Sequence, residues 1–284
     1  PVLVARGAEE GPVLGITAAV HGNELNGMST QYKLSLSLSL SLSLSLPLHF
    51  KFILYPMHGV PCIHKVMASL DMSQLRGAVV GVPCVNVDGY LHSKREFFDG
   101  VEILYPVLSF LIFSYELLTF QVDLNKGFPG IANGTASQKF CYAIMEKIVK
   151  PNFTYLIDLH TAAFGRLNSY FVCADLEDPV SKKLALLQQP QIILHDSGKD
   201  GKQGFANGTS VTHALFKGTL GGAATKLGIK GITVEIGNPQ LLQTQYVQWT
   251  TAGIMNVLKY FKMISLVGYF SCSLSLSLSL SLSL

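Results

Sequence analysis

The chain has 284 residues, 49% of them hydrophobic and 14% charged, so it is long enough to bury one substantial core. The formal net charge is only +3, and the Lys and Arg residues are scattered. This distribution argues against nucleic acid or an anionic membrane as a partner and favours a small polar molecule. Five cysteines without a Cys-x-x-Cys pair predict reduced thiols. Because the first residues lack the pattern of a secretion signal, we expect a cytoplasmic protein; homo-oligomerisation is left open.

Two stretches, Leu34–Leu46 and Ser273–Leu284, alternate Ser and Leu without a break. Folded strands have varied cross-strand partners and do not show such regularity. A CT dinucleotide repeat, read as CTC TCT, encodes Leu-Ser indefinitely. We therefore interpret both runs as non-coding DNA carried into a gene prediction.

A third unusual stretch, Val101–Gln121, is apolar and roughly long enough to cross a bilayer. Glu102 and Glu116 would be costly inside a membrane, so we do not expect a membrane span. Val codons begin with GT and Gln can be CAG, which are the two ends of an intron. A retained intron is our hypothesis, and its removal would join Gly100 to Val122.

The rest of the chain alternates apolar runs with helical patterns, which predicts an α/β fold with a parallel or mixed sheet covered by helices on both faces. Helices are predicted over Ser137–Val149 and Gln245–Ile264. Buried strands are predicted at Val13–Val20, Ala78–Val85, Tyr155–Leu159, Tyr170–Ala174 and Ile232–Ile236. Sites in such sheets gather beyond the C-terminal strand ends, where His21, His160 and Glu235 fall.

His21 and Glu24, in the sequence HGNE, are three residues apart after the first predicted strand. An imidazole and a carboxylate at this spacing, with a third ligand from elsewhere, form a zinc site with one open position. The alternative is a solvent-facing turn. In TYLIDLHTA, Asp158 and His160 project to one face of a strand. His160 is a candidate third ligand, with Asp158 orienting it, or else an ordinary strand-end histidine.

Glu235 interrupts the apolar strand ITVEIG, and a carboxylate in a buried run is costly without a purpose. It is either paired with another group or catalytic. Beside a zinc ion it could take a proton from water and deliver it to a leaving amine.

Four ordered motifs, HGNELNG, VDLNKGFPG, DLHTAAFGR and VEIG, resemble the succinylglutamate desuccinylase/aspartoacylase family of zinc carboxypeptidase-like enzymes. The resemblance implies a zinc carboxypeptidase-like fold, a mixed sheet flanked by helices. It also implies one Zn²⁺ ion held by His21, Glu24 and His160, with Glu235 as the general base. The substrate implied is a small-molecule N-acyl amino acid, whose amide bond is hydrolysed.

The same resemblance implies that Arg95 faces the scissile carbonyl oxygen and that Asn125 and Lys126 hold the substrate carboxylate. Two positions depart from the family. Lys126 stands where relatives have Arg, which removes a planar bidentate donor. TLGGAA around Gly221 lacks the Arg that relatives often carry before GAA, and Arg166 is a candidate substitute.

We therefore predict a catalytic domain over residues 1–266, with non-native insertions at about 28–58 and 101–121. A low-complexity tail at 267–284 would replace an expected β-rich C-terminal domain. Three alternatives stay open: a zinc carboxypeptidase acting on peptides, a non-catalytic or misassembled chain, and a membrane-anchored protein.

Overall fold

The computed structural model describes residues 2–24, 59–99, 121–196 and 218–265, and a mixed sheet of seven strands lies at its centre. The strands are β1 (Leu3–Arg6), β2 (Glu9–Ala18), β3 (Arg76–Val82), β4 (Phe97–Phe98), β5 (Gln121–Val122), β6 (Tyr155–His160), β7 (Tyr170–Ala174), β8 (Ile192–His195) and β9 (Lys230–Ile236). The order across the large sheet is β1-β3-β2-β6-β9-β7-β8, and β4 pairs with β5 separately. Strands β3, β2, β6 and β9 are parallel, whereas β1 and β7 run antiparallel to their neighbours β3 and β9.

Helices cover both faces of this sheet. They are α1 (Gly59–Ala68), α2 (Val87–Leu91), α3 (Ala136–Ile144), α4 (Lys150–Asn152), α5 (Pro179–Leu187), α6 (Leu220–Lys226) and α7 (Thr244–Tyr260). A π-helical stretch, Met145–Val149, continues α3, and a 3-10 turn covers Leu124–Lys126. One hydrophobic cluster joins α1, α5 and α7 to one sheet face, and a second joins α3, the π-helical stretch and α6 to the other. The prediction of helices on both faces is confirmed.

Two of the helices begin where the sequence carries capping signals. Asp178 accepts a hydrogen bond of 2.8 Å from the backbone N–H of Ser181, and Pro179 occupies the first turn of α5. Thr135 and Gln138 form a capping box at the start of α3. These local signals supply partners for N–H groups that a helix leaves unpaired at its start.

All five predicted strands are present, although some ends differ from the prediction. The strand predicted to reach Val20 stops at Ala18, because Ala19 has a φ of 52° and turns the chain. The helix predicted to end at Ile264 ends at Tyr260. Lys262 has a φ of 54°, and the N–H of the next residue donates back to the Leu258 carbonyl at 2.8 Å.

Several sequence predictions fall outside the described residues. Both Ser-Leu runs lie there, as does most of Val101–Gln121. Only Gln121 of that last stretch is described, and its backbone pairs with Phe98. No helix in the described part of the chain is long and apolar enough to cross a membrane.

Candidate metal centre and active site

The candidate residues meet beyond the C-terminal ends of the parallel strands. His160 is the last residue of β6, and it lies directly beside Glu235 of β9 in the strand register. His21 and Glu24 follow the turn at Ala19 after β2. Gly22 lies so close to α2 that an added Cβ would be 2.1 Å from a backbone carbon of that helix. Only glycine fits there, so the HGNE sequence fixes the path of the chain between the two side chains.

Three side chains form a cluster that could hold a metal ion. His21, Glu24 and His160 are each about 5% exposed or less, and one ligand atom from each lies within 4.8 Å of the others. Both imidazoles turn Nδ1 toward the same carboxylate: His21 contacts Oε1 of Glu24, and His160 lies 2.9 Å from Oε2. Two imidazole nitrogens and a carboxylate are the donor set of a three-ligand zinc site. The residues present therefore fit a zinc ion.

Each of the two histidines also contacts a second carboxylate through its other ring nitrogen. Nε2 of His21 lies 3.0 Å from Asp123, and Nε2 of His160 lies 2.9 Å from Asp158. Such partners fix the tautomer and ring orientation of metal-binding histidines, so that the other nitrogen faces the ion. Thr17 adds a further hydrogen bond behind His160, because its hydroxyl donates to Asp158 at 2.6 Å.

The electrostatics of this cluster stabilise positive charge. Burial alone would lower the pKa of His21, but Glu24 and Asp123 raise it above its ordinary value. Burial likewise opposes the proton on His160, but Asp158 and Glu24 raise its pKa well above the usual range. Burial would raise the pKa of Glu24, yet the two histidines hold it well below its ordinary value. A cluster that holds protons on buried imidazoles is also suited to a divalent cation.

Glu235 has a different environment from Glu24. Its pKa is raised to about 7, mainly by burial; the charge of His160 opposes this rise and the charge of Glu24 adds to it. Asn168 donates a hydrogen bond of 3.0 Å to Oε2 of Glu235. A carboxyl group that titrates near neutral pH suits a general base.

Arg95 and the segment that contains Asn125 lie beside the cluster of histidines and carboxylates. The guanidinium of Arg95 binds Glu24 at 2.9 Å and Asp123 at 3.3 Å. Asp123 also accepts a hydrogen bond of 2.9 Å from the backbone N–H of Asn125. Burial would raise the pKa of Asp123, but His21 and Arg95 lower it to about 2.

These side chains line a cavity of about 1160 Å³. All the predicted site residues lie on its wall, including Lys126 and Arg166. Lys126 is 79% exposed, and its Nζ is 3.9 Å from Asp123. Gly221 is in the first turn of α6, whose cap is Thr219. The cavity is thus bordered by the candidate metal-binding cluster, Glu235 and cationic loop residues.

Sequence reasoning missed three polar residues of the site: Thr17, Asp123 and Asn168. Thr17 could have been found by the argument that identified Glu235, because both are polar residues in an apolar strand. Asp123 belongs to a recognised motif but carries no local sign that it contacts a histidine 102 residues away. Asn168 lies in a loop, where the sequence gives no such signal.

A sequence model of the succinylglutamate desuccinylase/aspartoacylase catalytic domain matches residues 57–261, more than half of the chain. The chain belongs to the succinylglutamate desuccinylase/aspartoacylase family. This confirms the family predicted from the four motifs. No curated protein sequence matches the chain.

Several solved structures share the fold of this chain. A succinylglutamate desuccinylase from Silicibacter sp. TM1040 is 17% identical with a TM-score of 0.61, and the match covers 93% of this chain and 61% of that one. The product-bound ectoine utilization protein EutE from Ruegeria pomeroyi is 15% identical with a TM-score of 0.62, covering 93% and 61%. A putative metallopeptidase from Shewanella amazonensis is 14% identical with a TM-score of 0.52, covering 92% and 81%. The chain thus spans about three fifths of the first two relatives, and the predicted fold class is confirmed.

Proposed function

We propose that the chain is a zinc-dependent hydrolase that cleaves the amide bond of an N-acyl amino acid. The observation that carries this proposal is the convergence of His21, Glu24 and His160 at one wall of a cavity. One Zn²⁺ ion would be held by these three side chains. When bound, zinc supplies the Lewis acidity that polarises a carbonyl group and makes water nucleophilic near neutral pH.

Glu235 acts as the general base and then as the general acid. It is beside His160 in the strand register and lines the same cavity, so its carboxylate faces the region where the amide would bind. It takes a proton from the attacking water and delivers that proton to the departing nitrogen. Asn168 holds one of its oxygens and so fixes the direction of the carboxylate.

The other polar residues of the cavity wall bind the substrate. Arg95 stabilises the negative charge that develops on the carbonyl oxygen, since its guanidinium already lies against Glu24 beside the ligand cluster. Asn125 and Lys126 hold the free carboxylate of the amino acid, and Arg166 contributes a further positive charge at the cavity wall.

The variant Glu235→Gln tests the proposed role of Glu235 as the general base. We expect the variant to bind zinc like the wild type and to lose activity by about 10² to 10⁴-fold, the usual contribution of general acid–base catalysis. Turnover would be measured on a panel of N-acyl amino acids and zinc by metal analysis. Glu146→Gln is the matched control, because Glu146 lies on the π-helical stretch and pairs with Lys150 at the surface. Unchanged turnover in Glu235→Gln would refute the role of general base.

A zinc carboxypeptidase acting on peptides is the second candidate. The cavity of about 1160 Å³ is larger than a single N-acyl amino acid needs. The structural similarity to a putative metallopeptidase also favours this alternative. Peptides with free C-termini, assayed beside N-acyl amino acids on the same preparation, separate the two. Zinc binding without turnover of either class would instead indicate a non-catalytic chain.

A further inference from the structure

The sheet face that carries Glu235 continues beyond it over two more strands to the edge of the sheet. Glu235 of β9 pairs with Phe171 of β7, which pairs with Ile192 of β8. Two residues earlier on β9, Thr233 pairs with Cys173 of β7, and Cys173 pairs with Leu194 of β8. Because alternate residues of a strand share a face, all six side chains lie on the Glu235 face.

This part of the face is apolar. We name Phe171, Cys173, Ile192 and Leu194 the β7–β8 recess; three of them line the cavity, and Ile192 extends their surface to the sheet edge. Burial raises the pKa of the Cys173 thiol to about 12, so it is a neutral group at physiological pH. The two residues of β8 are 50% and 39% exposed despite being aliphatic.

The polar character of the face therefore changes across the sheet. In the row through Thr233, the side chains are Thr17 on β2 and Asp158 on β6, followed beyond β9 by Cys173 and Leu194. The described Lys and Arg residues of the cavity are all in loops or turns, and none is on β7, β8 or β9: Lys94, Arg95, Lys126 and Arg166. A carboxylate placed over the recess would lose hydration without gaining a cation from these strands.

We propose that the β7–β8 recess binds an uncharged, aliphatic or aromatic substituent of the substrate, and that it selects apolar over anionic N-acyl amino acids. This inference rests on the proposed function, because it assigns the recess to the same amide substrate. The recess adjoins Glu235 directly through Phe171, so a substituent next to the scissile amide reaches it.

Two pairs of substrates of similar size test the selection on the zinc-loaded full chain. N-acetyl-leucine against N-acetyl-aspartate varies the amino-acid side chain, and N-pentanoylglycine against N-succinylglycine varies the acyl group. We expect kcat/KM to be at least about tenfold higher for the apolar member in one pair, given what hydrophobic pockets discriminate. Equal values, or a preference for the anionic member, in both pairs would overturn the proposal.

Leu194→Lys places a cation in the recess at a partly exposed position that tolerates a long side chain. We expect it to move the apolar-to-anionic ratio by about tenfold toward the anionic member of the selective pair. Leu186→Lys is the matched control, because Leu186 is 51% exposed on α5, which packs against the opposite face of the sheet. An unchanged ratio in Leu194→Lys would show that the recess does not hold the variable group.

Calorimetric binding to Glu235→Gln separates this inference from the proposed function. The variant is designed not to turn over, so its dissociation constants report recognition alone. Tighter binding of the apolar member supports the recess even if wild-type hydrolysis is absent and the proposed reaction fails. Equal binding, tighter anionic binding or no binding in both pairs overturns the recess assignment even if hydrolysis is observed.

Discussion

The hydroxyl of Thr17 lies 2.6 Å from Asp158, and neither side chain reaches solvent. The other oxygen of Asp158 lies 2.9 Å from Nε2 of His160, whose Nδ1 faces Glu24. An anionic Asp158 keeps a proton on Nε2 and leaves the Nδ1 lone pair for a cation. Thr17 donates to the oxygen that the histidine does not use, and it therefore holds the orienting carboxylate in place.

Thr17→Val should weaken zinc binding because it keeps the side-chain shape and removes the hydroxyl donor. We expect the zinc dissociation constant to rise by up to about tenfold, the lower end of the effect of outer-shell partners. Thr17→Ser keeps the donor and is expected to bind zinc as the wild type does. Titration against a competing chelator measures both variants.

Unfolding without metal separates this effect from simple destabilisation. The unpaired oxygen of Asp158 in Thr17→Val should cost about 1–3 kcal/mol of unfolding free energy even in the presence of EDTA. A positioning role requires that zinc also stabilise the variant less than the wild type. An equal zinc-induced increase in the free energy of unfolding of both proteins would show that Thr17 contributes only to packing.

Removing the metal should destabilise the protein. A ligand that binds only the folded state contributes about 2.7 kcal/mol when its concentration is 100 times its dissociation constant. We therefore expect zinc to raise the midpoint of thermal unfolding and EDTA to reverse the change. His160→Ala should abolish the zinc-induced shift, whereas His64→Ala, on the exposed side of α1, should retain it. A full shift in His160→Ala would contradict the assigned ligand set.

The sequence predicted the parts of the molecule that carry strong local signals. The buried strands were predictable because their apolar runs are continuous, and Glu235 was conspicuous because it interrupts one of them. Strand β8 was not predicted, since it is a four-residue edge strand with alternating exposure. The contact of Asp123 with His21 joins residues distant in the sequence, so it depends on tertiary packing that no local pattern encodes.

Lys126→Arg should improve recognition of the substrate carboxylate. Lys126 is at the cavity wall with its Nζ 3.9 Å from Asp123, and a lysine offers a point charge where an arginine offers two parallel donors. We expect KM to fall by about three- to tenfold with little change in kcat. Lys139→Arg on the exposed side of α3 is the control. A changed kcat with constant KM would show that this residue does not act through ground-state binding.

Deleting Val101–Gln121 should preserve the fold. Phe97 and Val122 are antiparallel neighbours in the β4–β5 pair, so the strands that flank the deleted segment already lie side by side. The shortened chain would connect these two residues through Phe98, Asp99 and Gly100, and hairpins with such three-residue loops are common. We expect the shortened protein to unfold cooperatively at a midpoint no lower than that of the full chain.

Asp99→Ala shows whether the shortened loop keeps its native position. Asp99 accepts hydrogen bonds from the backbone N–H and the hydroxyl of Ser137, at 2.9 and 2.8 Å, in the first turn of α3. Losing this cap should cost about 1 kcal/mol in the full chain and the same amount in the shortened one. A cost in the full chain alone would mean that the deletion has displaced the loop. Aggregation of the shortened protein, with the full chain soluble, would show that Val101–Gln121 is needed for folding.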